Sequence, residues 1–105
     1  MKELGEVVKL NGSTYILEKR IDDIAIYKQI RNDHTVAYEL IIIRVAKPRE
    51  IFGRTYPEQE VYPSSSEFGT HGWSYRTCSD AVNGMKDIIA NRNILDTIKQ
   101  AKRDS

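Results

Sequence analysis

The chain has 105 residues, with 16 Lys and Arg against 15 Asp and Glu, 40% hydrophobic residues and one cysteine. That length fits a single domain (1–105), able to bury roughly two-thirds of the surface its unfolded form exposes. A net charge of +1 supplies no global field toward DNA, acidic lipid or acidic substrates. A lone cysteine makes no internal disulfide, and no apolar run approaches the ~18–20 residues that span a bilayer. The start, Met1-Lys2-Glu3-Leu4-Gly5-Glu6, lacks the apolar stretch of a secretory signal. These features predict a small soluble, intracellular α+β domain.

The first half reads as strands. Val7-Val8-Lys9-Leu10, then Asn11-Gly12, then Ser13-Thr14-Tyr15-Ile16-Leu17-Glu18 is a hairpin pattern, because Asn-Gly accepts the two positive φ values of a type I′ turn. Asp22-Asp23 punctuates the next junction, and Ile24, Ile26 and Ile30 share a face at the period of two. Arg31-Asn32-Asp33-His34 forms the following turn. From Thr35 to Ala46 both faces are apolar around Leu40–Ile43, which predicts a central strand covered on both sides. The β-branched density there favours a strand over a helix.

Near the other end, Thr77-Cys78-Ser79-Asp80 resembles a capping box with Asp in place of Glu. Ala81, Val82, Met85, Ile88 and Ile89 follow as one helical stripe. Asn91-Arg92-Asn93 marks a break, after which Ile94, Leu95, Ile98 and Ala101 continue an apolar stripe. The expected fold is α+β: an antiparallel four-stranded meander over Glu6–Leu10, Ser13–Arg20, Asp23–Arg31 and Thr35–Ala46. A long ordered aromatic segment follows. Helices over Thr77–Asn91 and Ile94–Arg103 complete the chain, the first packing Val82, Met85 and Ile89 on the sheet.

The segment from Lys47 to Arg76 holds all three prolines and six of the nine aromatic residues. Disordered linkers do not have that composition. The segment is therefore expected to pack on the sheet, with short strands near Glu60–Tyr62 and Trp73–Arg76. Trp73 and Tyr75, which lead into the helix, are assigned to the core, since each buried aromatic covers ~150–250 Å².

Chemistry-bearing residues are few. Cys78 in the first helical turn, with His71 seven residues upstream, is a conceivable nucleophile and base, but no orienting Asn or Asp accompanies them. Cys is also a common apolar filler, and no catalytic residue is assigned. One Cys and two His (His34, His71) leave a Cys/His zinc site incomplete, and Glu58, Glu60 and Glu67 lack a calcium-loop pattern. No nucleotide-binding glycine motif occurs. Neither a metal nor a cofactor is expected, and Glu58 with Glu60 is the only close carboxylate pair of the aromatic segment.

Two interaction readings remain. In the first, Arg49, Phe52, Arg54, Tyr56 and Tyr62 form a protein-binding surface, with Arg54 supplying forked hydrogen bonds and the tyrosines rigid amphipathic area. In the second, Arg44, Lys47, Arg49 and Arg54 with Phe52 grip nucleic acid, cations on phosphates and the ring on a base. A flat sheet edge makes a second copy of the chain a further candidate partner.

The stretch Gly53–Tyr75, with Tyr62-Pro63-Ser64-Ser65 and Gly69-Thr70-His71-Gly72-Trp73 preceded by Tyr38-Glu39-Leu40, resembles small uncharacterised proteins of tailed bacteriophages. The resemblance covers roughly Tyr38 to Ile89 and leaves out the first hairpin and the final helix. It implies a phage or phage-derived origin, expression in a bacterial cytoplasm, and an accessory role in binding a host or phage macromolecule. It carries no catalytic residue.

Overall fold

In the computed structural model, residues 2–104 are described, with side chains over 2–98. The first four strands are β1 (Val7–Leu10), β2 (Ser13–Ile21), β3 (Ile24–Arg31) and β4 (His34–Ile42). They form the expected antiparallel meander, and β9 (Gly72–Tyr75) adds a fifth strand beside β4. The tight turns follow their residues: Asn11 and Gly12 sit at φ 52° and 79°, and Asn32 and Asp33 at 50° and 62°. Asn and Asp tolerate this left-handed region and Gly enters it freely, which is why these sequences reverse the chain here.

The long apolar strand expected over Thr35–Ala46 divides at Ile43. Its backbone N–H turns to donate to the Asp23 carbonyl at 2.6 Å. The rest, β5 (Arg44–Ala46), leaves the sheet and pairs with β8 (Gln59–Val61). Between them stands a separate hairpin, β6 (Arg49–Ile51) with β7 (Arg54–Tyr56).

One helix, α1 (Cys78–Asp104), runs continuously through both expected helical spans. Its start is as read: the Asp80 N–H donates to Thr77 Oγ1 at 3.1 Å. Asn91-Arg92-Asn93 does not break it, because Asn costs a helix only a few tenths of a kcal/mol. Arg92 also reaches from this turn to Asp23, with donor distances of 2.7 and 3.2 Å to the two carboxylate oxygens. That pair ties the helix to the β2–β3 turn. Beyond it α1 outruns the sheet, so Ile94, Leu95 and Ile98 are exposed rather than packed.

The sheet carries two cores. On one face Ile24, Ile26 and Leu40 meet Ala81 and Met85, flanked by Trp73, Tyr75, Val82, Ile88 and Ile89. The expected helix stripe is thus the packed one. On the other face Tyr15, Ala25, Tyr27, Ile41 and Ile43 are covered by Leu4, Val8, Leu17 and Tyr62. No helix lies there. The cover is a strap, residues 57–71, that includes β8 and a 3₁₀ turn at Ser65–Glu67.

Carboxylates at Glu60 and Glu67 fasten the strap. Arg20 donates through both terminal nitrogens to the Glu60 carboxylate at 2.8 and 2.7 Å, and the Leu4 N–H donates to the same group at 2.9 Å. Arg44 pairs with Glu67 at 2.6 Å. The resembling motif serves the strap as well. Tyr62 packs on Tyr15 and Tyr27, with ring centroids 5.1 and 5.5 Å apart. Gly69 takes φ 101°, and a Cβ at Gly72 would lie 2.9 Å from the Phe68 ring. Among the described residues, no helix is long and apolar enough to cross a membrane.

Two tests follow from this packing. Gly84→Ala normally stabilises a helix by about 1 kcal/mol. Here the new methyl would come within 2.6 Å of the Tyr75 hydroxyl and 2.9 Å of Leu40 Cδ2, and Leu40 is buried. Urea denaturation should show a loss of about 1–2 kcal/mol from overpacking; a gain would refute the close approach. The second test concerns acid. The Arg20 hydrogen bonds hold the Glu60 carboxyl down at about 2, from an ordinary 4.5. A depressed folded-state pKa stabilises fully above the unfolded value and is lost as pH falls through the folded one. Glu60→Gln should therefore cost about 1–3 kcal/mol at neutral pH, with the gap to wild type closing between pH 4.5 and about 2 in thermal melts.

Candidate interaction site

The β6–β7 hairpin is an arm. Its register pairs Arg49 with Tyr56, Glu50 with Thr55 and Ile51 with Arg54. Paired residues share a face and alternate along each strand. One face therefore carries Arg49, Ile51, Arg54 and Tyr56, and the other Glu50 and Thr55. All of these side chains are exposed. Arg49 lies over the Tyr56 ring, 5.8 Å from its centroid, a cation–π contact that orients both. Neither Arg49 nor Arg54 has a carboxylate partner among the described residues, whereas Arg20, Arg44 and Arg92 are each committed to one.

Phe52 stands at the tip. It occupies the first turn position at φ 49°, followed by Gly53 at 76°, and its relative exposure is 101%. The hairpin turn requires positive φ at both positions. Elsewhere in the chain Asn or Asp fills the first of them. A bulky aromatic there is strained, and this ring regains nothing by packing.

Four of the five residues expected to bind protein thus converge on the arm: Arg49, Phe52, Arg54 and Tyr56. Tyr62 is placed elsewhere. It lies in the strap, packed between Tyr15 and Tyr27, with its hydroxyl donating to Glu39 Oε1 at 2.6 Å. Burial first, and then the Glu39 carboxylate, push its phenol far above the ordinary range. Of the set expected for nucleic acid, Arg44 is tied to Glu67, while Lys47, Arg49, Arg54 and Phe52 remain exposed together. Ile51 was not among the sequence candidates. The Phe52-Gly53 pair, read as an Xaa-Gly hairpin turn, would have set the register and found it.

The other candidates do not assemble. His71 Nδ1 lies 3.1 Å from the Thr70 hydroxyl and has no hydrogen bond to Cys78. Cys78 is half-buried at the first residue of α1. Glu60 is spent on Arg20 and Leu4, so Glu58 and Glu60 do not form an acid–base pair. Among the described residues no three His, Cys, Asp or Glu side chains cluster as metal ligands. The chain matches no family model and is similar to no curated protein and no solved structure at a significant level.

If Phe52 is held against its conformational preference, Asn should suit the position better. Phe52→Asn is expected to leave the melting temperature unchanged or raise it, by up to about 1 kcal/mol of stability. A clear drop in the melting temperature would mean that the ring supports the fold.

Proposed function

We propose that this is a non-enzymatic interaction protein, of the phage or phage-derived kind its Tyr62-to-Trp73 motif resembles. Its β6–β7 arm captures a host or phage protein in a bacterial cytoplasm. The observation that carries the reading is Phe52, fully exposed on a strained backbone at the end of a basic and apolar ribbon face. Tyr and Arg are enriched where interfaces concentrate their energy, and Phe, Met, Tyr and Arg at interface cores generally. Arg49 and Arg54 present free guanidinium forks to partner carboxylates, and Ile51, Phe52 and Tyr56 supply area that loses little entropy on contact.

A second reading draws on the same arm. A two-stranded ribbon fits the DNA major groove, and a bare Phe can wedge between base steps. Lys47, Arg49 and Arg54 face one carboxylate, Glu50, within the segment 47–56. Protein capture is preferred because Arg44 is withdrawn into an ion pair and the arm's second face carries Glu50 and Thr55, leaving few cations for phosphates.

The test is affinity capture by the tagged protein from infected and uninfected bacterial lysates, with and without nuclease, beside an Arg54→Glu/Tyr56→Ala variant. The proposal expects a defined protein retained after nuclease and lost by at least tenfold with the folded variant. Unchanged capture by the variant refutes the arm. Binding that disappears with nuclease, and whose affinity falls with salt at a log–log slope near −0.9 per phosphate contacted, favours nucleic acid instead.

A further inference from the structure

Where the strap crosses the sheet it leaves a groove of about 630 Å³, walled by Leu10, Tyr15, Tyr62 and Phe68. Its size falls within the range of small-molecule sites, and no residue of the arm contributes to it. The only charged side chain in its lining is Glu39, on β4, which is 7% exposed. The Tyr62 hydroxyl reaches one carboxylate oxygen of Glu39 at 2.6 Å and the Ser74 hydroxyl the other at 3.2 Å. Both donors are neutral. A carboxylate offers roughly four acceptor positions, more than these two donors occupy.

Glu39 differs from the other anchored carboxylates of this molecule. Glu18, Asp23, Glu60 and Glu67 each have a Lys or Arg within 4.0 Å and are all less buried than Glu39. Among the described residues no such cation accompanies Glu39. Buried charges are normally paired, since removing an ion from water costs several kcal/mol. Three aromatic rings, Tyr15, Tyr62 and Phe68, line the same groove as Glu39. Aromatic faces attract cations, most strongly where water is excluded.

We infer that this groove binds a small organic cation, an alkylammonium whose charged head meets Glu39 and whose apolar chain lies against Tyr15, Tyr62 and Phe68. One charged group in the lining makes the ligand a monocation, and the Ser64, Ser65 and Asn11 side chains at the rim suit a hydroxyl or amide at its far end. Burial and the Glu39 carboxylate raise the Tyr62 phenol, which keeps its proton at neutral pH and goes on donating to Glu39.

The experiment is an amide-resolved NMR titration of the full chain with n-pentylammonium and with choline, against n-pentanol as the uncharged control. Saturable shifts for a cation, centred on the Asn11 turn, Ser64–Ser65 and Ser74 and at least tenfold weaker for pentanol, support the inference. Glu39→Gln should then weaken the cation by about tenfold or more, the scale of one charge-assisted hydrogen bond, and leave pentanol unaffected. The comparison of pentylammonium with pentanol on wild-type protein stands even if that variant does not fold. Equal affinity for the two, shifts elsewhere on the molecule, or no saturable binding at millimolar ligand overturns the inference. Binding of a lysine-containing peptide but of no free amine also overturns it, and makes the groove a docking point for a protein side chain.

Discussion

Strands β3 and β4 are apolar on both faces, and the described residues supply one α-helix. An uncovered sheet face of that kind would leave Tyr15, Tyr27, Ile41 and Ile43 in water, each large side chain forfeiting roughly 1.5–3 kcal/mol of burial. The second cover comes from the segment between β4 and β9, which holds all three prolines and four of the nine aromatic residues. Much of the architecture follows from that requirement. The strap needs Tyr62 as its apolar anchor, Arg20–Glu60 and Arg44–Glu67 as its fastenings, and Gly69 and Gly72 where the chain bends under Phe68 to become β9.

The segment between β4 and β9 is not all strap. Between β5 and β8 the chain runs out and back as the β6–β7 arm, whose side chains all face solvent. With the free end of α1, this contributes to principal extents of 54 × 42 × 22 Å and a radius of gyration of 16.3 Å, against about 13 Å for a compact chain of this length. The arm contributes nothing to either core. Its residues are therefore free of the packing constraints that fix the rest of the sequence, and Phe52 stays fully exposed at its tip.

The groove beside Glu39 has a different origin. It is the seam where an irregular strap meets a pleated sheet, and a strap cannot fill every hollow as a helix ridge would. Tyr62 links the two roles, since its ring closes the core while its hydroxyl holds the carboxylate that faces the groove. The arm and the groove draw on separate residues, so the fate of one assignment leaves the other standing.

Much of the scaffold was legible in the sequence. Asn11-Gly12 fixed a hairpin, β-branched runs at period two fixed the strands, and Thr77 with the Ala81–Ile89 stripe fixed the start and the buried face of the helix. These are local signals, carried by backbone preference and side-chain period within a few residues. The arm residues were legible too, as a basic and aromatic cluster, but not their division into two faces. What the tertiary structure alone decided depends on contacts between distant positions. Tyr62 entered the core rather than the surface because Glu39 and two ring faces await it. Arg44 was removed from the free cations by Glu67, and Asn91–Asn93 stayed helical with Arg92 held by Asp23, 69 positions away. The sequence order carries no trace of such pairings, because only folding brings a buried carboxylate and its neighbours within reach of one another.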